Sequence, residues 1–237
     1  MQPKRSHAAG SVEDNTVNER ADSTKLSLNV MTTEQLQQDP SYHLLLMLPH
    51  DDLLPFLQDQ LSGRSNTMRL YIALNVVILL SLVYFAIKDV QSGTYSWDGI
   101  LGGFGLGIFA VFTVLIAAHE GIHGIAYKLA GAPRVSFGVS WRKFYFYAVA
   151  DKFVIGRNDF LLVALAPFVV ISALAIGGLF IAGDALKWVL LGILFFHTGA
   201  CAGDFAMLAF YEKNRHLGTI LTFDDVEKKL SYFYVKE

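Results

Sequence analysis

Four stretches of the chain, residues 70–87, 100–118, 160–182 and 188–211, are apolar almost without interruption, and the segments around them hold the charge. The first three contain no Asp, Glu, Lys or Arg, and the fourth contains a single one, Asp204. At about 1.5 Å of rise per residue, helices of this length span a hydrocarbon layer of about 30 Å. Lipid offers backbone groups no hydrogen bonds, so a long spanning segment satisfies them within itself as a helix. The pattern predicts an all-α polytopic membrane protein with about four transmembrane helices.

The loop between the second and third stretches reads differently. Residues 135–155 are rich in β-branched and aromatic side chains with partial alternation, which predicts strands or a hairpin, a small membrane-associated β element. Residues 41–61 mix apolar runs with acids and two prolines, Pro49 and Pro55. They read as short amphipathic helices at the membrane surface, or as a cytosolic cap, with the prolines as breaks or helix starts. The organisation expected is a polar, flexible tail over residues 1–40 and a cytoplasmic or interfacial segment over 41–66. A four-helix catalytic domain over 67–211 and a cytoplasmic tail over 212–237 follow.

Composition agrees. The chain is 53% hydrophobic and only 17% charged over 237 residues. No apolar leader precedes the first stretch, and no basic cluster with interleaved aromatics suggests nucleic acid. The lone Cys201 excludes a disulfide scaffold. Lys and Arg collect before the first stretch, in the loop after the second and beyond the fourth, whereas the opposite side offers only Lys88 and Lys187. Positive residues stay inside, which predicts cytoplasmic termini and parallel second and fourth helices.

The chemistry centres on His119-Glu120-Gly121-Ile122-His123. On a helix, residues four apart share a face, so both imidazoles can reach one ion while the intervening Glu120 is left to accept a proton from water. The motif closes an apolar stretch, where such groups are costly to bury unless paired or metal-bound. Asp204 is a carboxylate among apolar neighbours in the fourth stretch. Counted from the outer ends of their helices, His119 lies ~28 Å and Asp204 ~24 Å deep, in the same third of the bilayer. His119, His123 and Asp204 therefore form a candidate Zn²⁺ tripod with a fourth position open to water, and Glu120 is the candidate catalytic base. His197 is the alternative third ligand, although in a straight helix it stands about 10 Å from the level of Asp204. Small residues (Gly121 and Gly124, Gly199 and Gly203) would let the two helices approach, and Pro167 would kink the third helix and free a carbonyl. Tyr145, Tyr147 and Arg134 are candidate oxyanion donors; Cys201 reads as packing, with no base beside it.

Together, HEGIH at 119–123, the Val135-Ser-Phe-Gly segment, the Ala166-Pro167 pair and His197-x-x-x-Cys201-Ala-Gly-Asp204 resemble the putative zincin peptidases of bacterial membranes, related in layout to site-2 proteases. The resemblance implies a three-helix catalytic core with a membrane-associated β element, and Asp204 as the residue completing the metal site. It departs from site-2 proteases in that Gly203 precedes the aspartate and no asparagine motif stands before it. The expected protein is a multi-pass zinc metalloendopeptidase of a bacterial inner membrane, acting on membrane proteins or peptides. A non-proteolytic metal-binding protein, serving as sensor or partner-binding module, is the alternative. Oligomeric state and substrate stay open.

Overall fold

The computed structural model describes residues 31–140 and 145–236. The expected flexibility of residues 1–30 and the charges at Arg142 and Lys143 lie outside these described residues. The chain is mostly helical, and three helices are long and apolar enough to cross a membrane. These are α3 (Asn66–Gln91), α4 (Trp97–Leu129) and α5 (Arg157–Ile181), of 26, 33 and 25 residues. The fourth apolar stretch is a broken pair, α6 (Lys187–Ala200) and α7 (Ala202–Lys213), bent by 42° at Cys201. Large apolar side chains such as Leu80, Phe109, Val114, Leu174 and Phe180 stand exposed on these helices. Contiguous apolar surface on this scale needs a nonaqueous or protein covering.

Helices α4 and α6 make the closest approach in the bundle. A Cβ on Gly107 would lie 2.5 Å from the Val189 carbonyl oxygen, and one on Gly192 would lie 2.7 Å from that of Phe104. Contacts advance together along both helices, from Gly103 with Trp188 to Gly107 with Gly192 to His119 with His197, so the two run parallel as expected. The small residues that permit this are not those nearest the motif. A Cβ added at Gly121 or Gly199 would meet nothing within 4 Å, and Gly124 faces Phe137 instead of the neighbouring helix.

Helix α3 splints the broken pair at three levels. The Glu212 carboxylate of α7 accepts from the Asn66 and Thr67 backbone N–H groups at 3.0 and 2.7 Å, beside the Ser65 N-cap of α3. A carboxylate there meets both the unpaired donors and the positive end of the helix dipole. Mid-helix, the Tyr71 hydroxyl lies 3.1 and 3.0 Å from the Thr198 and Gly199 carbonyls, and Thr198 donates to Asn75. At the far end Asp89 accepts from Lys187 at 2.8 Å and from Trp188 at 3.1 Å.

The bundle is not all-α at its other end. A four-stranded antiparallel sheet, in the order β1-β6-β5-β4, joins segments from both chain ends: β1 (Tyr42–Pro49), β4 (Ile155–Gly156), β5 (Thr219–Asp225) and β6 (Leu230–Lys236). The reading of 41–61 as helical is corrected by β1; only the part beyond Pro49 is helical, as α2 (Leu53–Ser62). Residues 33–38, placed in the flexible tail, form a short capped helix, α1 (Thr33–Gln38). The C-terminal residues form the β5–β6 hairpin, whose side chains alternate between faces. Ile220 and Phe233 pack on Phe210 and Tyr211 of α7, whereas Leu221, Phe223, Tyr232 and Tyr234 pack with Leu36 of α1. The expected β element after the second helix is present as the separate hairpin β2 (Ser136–Ser140) and β3 (Tyr145–Val149). Because β4 runs directly into α5 and α7 rests on the sheet, the sheet anchors one end of both helices.

Side chains at the α4–α6 crossing have no room to grow. Gly192→Leu is expected to destabilise the protein by about 1–3 kcal/mol in detergent unfolding experiments. Gly199→Ala, which faces open space, is expected to stay within about 0.5 kcal/mol of the parent or to gain stability.

Candidate metal centre

The motif sits inside a helix and not at its end. After Ala110, α4 passes through one π-helical turn (Val111–Leu115) and continues as α-helix through the motif to Leu129. The Thr113 hydroxyl donates to the Phe109 carbonyl at 2.6 Å in that turn. A π-turn inserts one residue, which rotates all that follows by roughly 100°. It therefore decides which neighbours His119 and His123 face.

The structure brings together the three residues expected to form a tripod. His119 Nε2 and His123 Nε2 are 3.1 Å apart, His123 Nε2 is 3.3 Å from Asp204 Oδ1, and His119 Nε2 is 3.5 Å from Asp204 Oδ2. Ligands about 2.0–2.1 Å from a tetrahedral zinc lie about 3.3–3.4 Å from one another. The donor set lies close to the spacing that such an ion requires, with one Asp204 oxygen facing each imidazole. Asp204 occupies the first turn of α7, so the break at Cys201 re-aims that turn relative to α6.

The far side of each imidazole is also engaged. His123 Nδ1 lies 2.9 Å from the Val163 carbonyl oxygen of α5. In an unbroken helix that carbonyl would accept from the N–H of residue 167, but Pro167 has none. The carbonyl freed by Pro167 therefore accepts a hydrogen bond from the His123 Nδ1–H, leaving the Nε2 lone pair directed toward Asp204 and His119. Helix α5 itself continues from Arg157 to Ile181 around the proline.

His119 Nδ1 faces His197 Nε2 at 3.2 Å. His197 thus meets the opposite nitrogen of His119 from the one in the tripod. It joins His119 in a separate group with Cys201 and is not among the tripod atoms. Cys201 is not isolated from a base: its Sγ lies 3.8 Å from the same His197 Nε2. The sequence reading of Cys201 is corrected on this point.

Glu120 is half-buried, stands outside the donor set and faces the Ala148 backbone N–H of β3. Beside it a groove of about 370 Å³ opens between α4 and the hairpin, lined by Gly121, Gly124, Ile125, Lys128, Val135 and Phe137. Of the oxyanion candidates, Arg134 is exposed and Tyr147 lies over Gly138; the Tyr145 side chain lies outside the described residues. Sequence reasoning missed Tyr71. Its only signal was a phenol within an apolar run, and its partners are the carbonyls of the last turn before the helix break.

Residues 112–214 match a family model described as "Putative zincin peptidase", a span containing His119, Glu120, His123, Pro167, His197 and Asp204. No curated protein and no solved structure matches the chain.

Pro167→Ala would restore an N–H that competes for the Val163 carbonyl and loosen the His123 ring. Zinc affinity in a chelator-competition titration is expected to fall about 10–100-fold, with helix content unchanged; unchanged affinity would rule out the coupling. Tyr71→Phe removes the hydroxyl that reaches the Thr198 and Gly199 carbonyls, and detergent unfolding is expected to show a loss of about 1–3 kcal/mol.

Proposed function

We propose that this chain is a multi-pass membrane zinc endopeptidase that cleaves peptide bonds in or near the membrane segments of other proteins. The observation carrying this reading is the mutual spacing of His119, His123 and Asp204, 3.1–3.5 Å, on helices of an apolar bundle. The match of residues 112–214 to a zincin peptidase family supports the hydrolytic part. Distribution of Lys and Arg supports an orientation with both termini, the four-stranded sheet and the metal centre toward the cytoplasm.

Zinc held by His119, His123 and Asp204 would supply a Lewis acid and a more acidic water in the remaining position. Glu120 is then the proton carrier. Its carboxylate accepts the proton of the attacking water and delivers it to the departing amide nitrogen. Val163 and His197 keep the His123 and His119 rings oriented through their Nδ1 atoms. The Ala148 N–H of the hairpin lies on the side that Glu120 faces, a neutral donor that leaves the carboxylate able to take a proton.

Helical substrate hides its carbonyls in its own hydrogen bonds, so cleavage needs an unwound segment. Strand β3 pairs with β2 on one side only among the described residues, and its Ala148 N–H faces Glu120. An extended peptide running along this side of the hairpin would present its backbone to Glu120, with apolar side chains in the groove beside Ile125 and Phe137. The membrane segment of a client protein matches that apolar lining.

The test combines zinc content with cleavage of a membrane-segment reporter by purified protein in detergent or nanodiscs. Glu120→Gln is expected to retain zinc and to lose at least about 10²-fold in cleavage rate. His123→Ala is expected to lose both. Equal cleavage by Glu120→Gln would end the peptidase reading.

A further inference from the structure

We propose that His119 Nδ1, His197 Nε2 and Cys201 Sγ form a second cation site, selective for soft thiophilic ions, which competes with the tripod because both require His119. The three atoms lie within 4.8 Å of one another. His119 Nδ1 is 3.2 Å from His197 Nε2, and that nitrogen is 3.8 Å from Cys201 Sγ. Around an ion with metal–nitrogen bonds of about 2.0–2.1 Å and metal–sulfur bonds of about 2.3 Å, neighbouring donors stand about 3.3–3.6 Å apart. These two distances bracket that range, and the third pair is no more than 4.8 Å apart.

The donors are also held in place. His197 and Cys201 lie one helical turn apart at the end of α6, each at most 2% exposed. Tyr71 grips the intervening Thr198 and Gly199 carbonyls, so the turn between them is pinned. His119 arrives from α4 along the crossing fixed by Gly107 and Gly192.

Donor chemistry separates the two sites. The tripod offers two imidazoles and a carboxylate, a set suited to zinc; the second offers two imidazoles and the chain's single thiol. Thiolate favours soft ions such as Cu(I) or Cd(II). Binding releases the Cys201 proton to solvent and moves the His119 proton from Nδ1 to Nε2. There it meets the Asp204 carboxylate, whose Oδ2 is 3.5 Å away. A neutral imidazole has one lone pair to offer, so one ion at a time is held through His119. On the peptidase reading, soft-ion loading therefore switches the enzyme off; the binding itself does not rest on that reading.

The probe is Cd(II) alone, titrated into metal-free full-length protein in detergent and followed by thiolate-to-cadmium charge-transfer absorption. Wild type is expected to develop this absorption to one equivalent per chain. Cys201→Ala should abolish it, His197→Ala should weaken binding at least 10-fold, and Asp204→Ala should retain it. Preloading wild type with Zn(II) should raise the Cd(II) concentration needed at least 10-fold. Absence of the absorption in wild type with a titratable thiol would overturn the site and leave a hydrogen-bonded relay only. Indifference to His197→Ala, or full Cd(II) loading beside retained zinc, would likewise overturn it. Failure of the peptidase reading leaves the wild-type absorption in place, so the two outcomes are distinguishable.

Discussion

A carboxylate and two imidazoles buried in an apolar bundle are tolerable only if they meet one another, and that requirement organises the molecule. Asp204 contacts His119 and His123 across the α4–α7 interface at 3.3–3.5 Å. Leaving any of them alone in such surroundings would cost several kcal/mol. The close α4–α6 crossing, the α3 splint and the sheet beneath α7 all serve to keep these atoms at one level. The same arrangement that makes burial tolerable also makes a compact donor set for a cation.

Irregularities in the helices do much of the aiming. A π-turn in α4 sets the rotation of the histidine face. A proline in α5 releases the Val163 carbonyl for His123. A 42° break between α6 and α7 turns Asp204 toward α4 while leaving His197 against the other side of His119. Regular helices would satisfy every backbone group internally and leave none for the site. Each interruption frees a backbone group or redirects a side chain, and Tyr71 adds a hydroxyl contact to the carbonyls beside the break.

His119 stands at the junction of two polar sets, one ending at Asp204 and the other at Cys201. Its two ring nitrogens face opposite partners, so its proton position links them. A cation on one side and a proton on the other are complementary states of the same ring. This coupling is a property of the α4–α6 crossing and not of the five-residue motif.

Apolar length by itself determined three long helices and a fourth, broken helical stretch, because runs of that length with at most one charge have few structural options. The same reasoning made His119, Glu120, His123 and Asp204 conspicuous, since charge in such runs needs a partner, and matched depth paired them. Alternating β-branched and aromatic residues exposed the β2–β3 hairpin, and Pro167 announced a freed carbonyl. Tertiary structure decided the rest. Strand β1 and the β5–β6 hairpin were illegible as one sheet because their pairing joins segments nearly two hundred residues apart, and local patterning carries no record of a partner so distant. The partner of His197 depended on how α6 packs on α4, and the acceptor of His123 on which other helix packs there, neither of which hydropathy encodes. Periodicity speaks for the chain's own neighbours; contacts between helices are settled only when the helices meet.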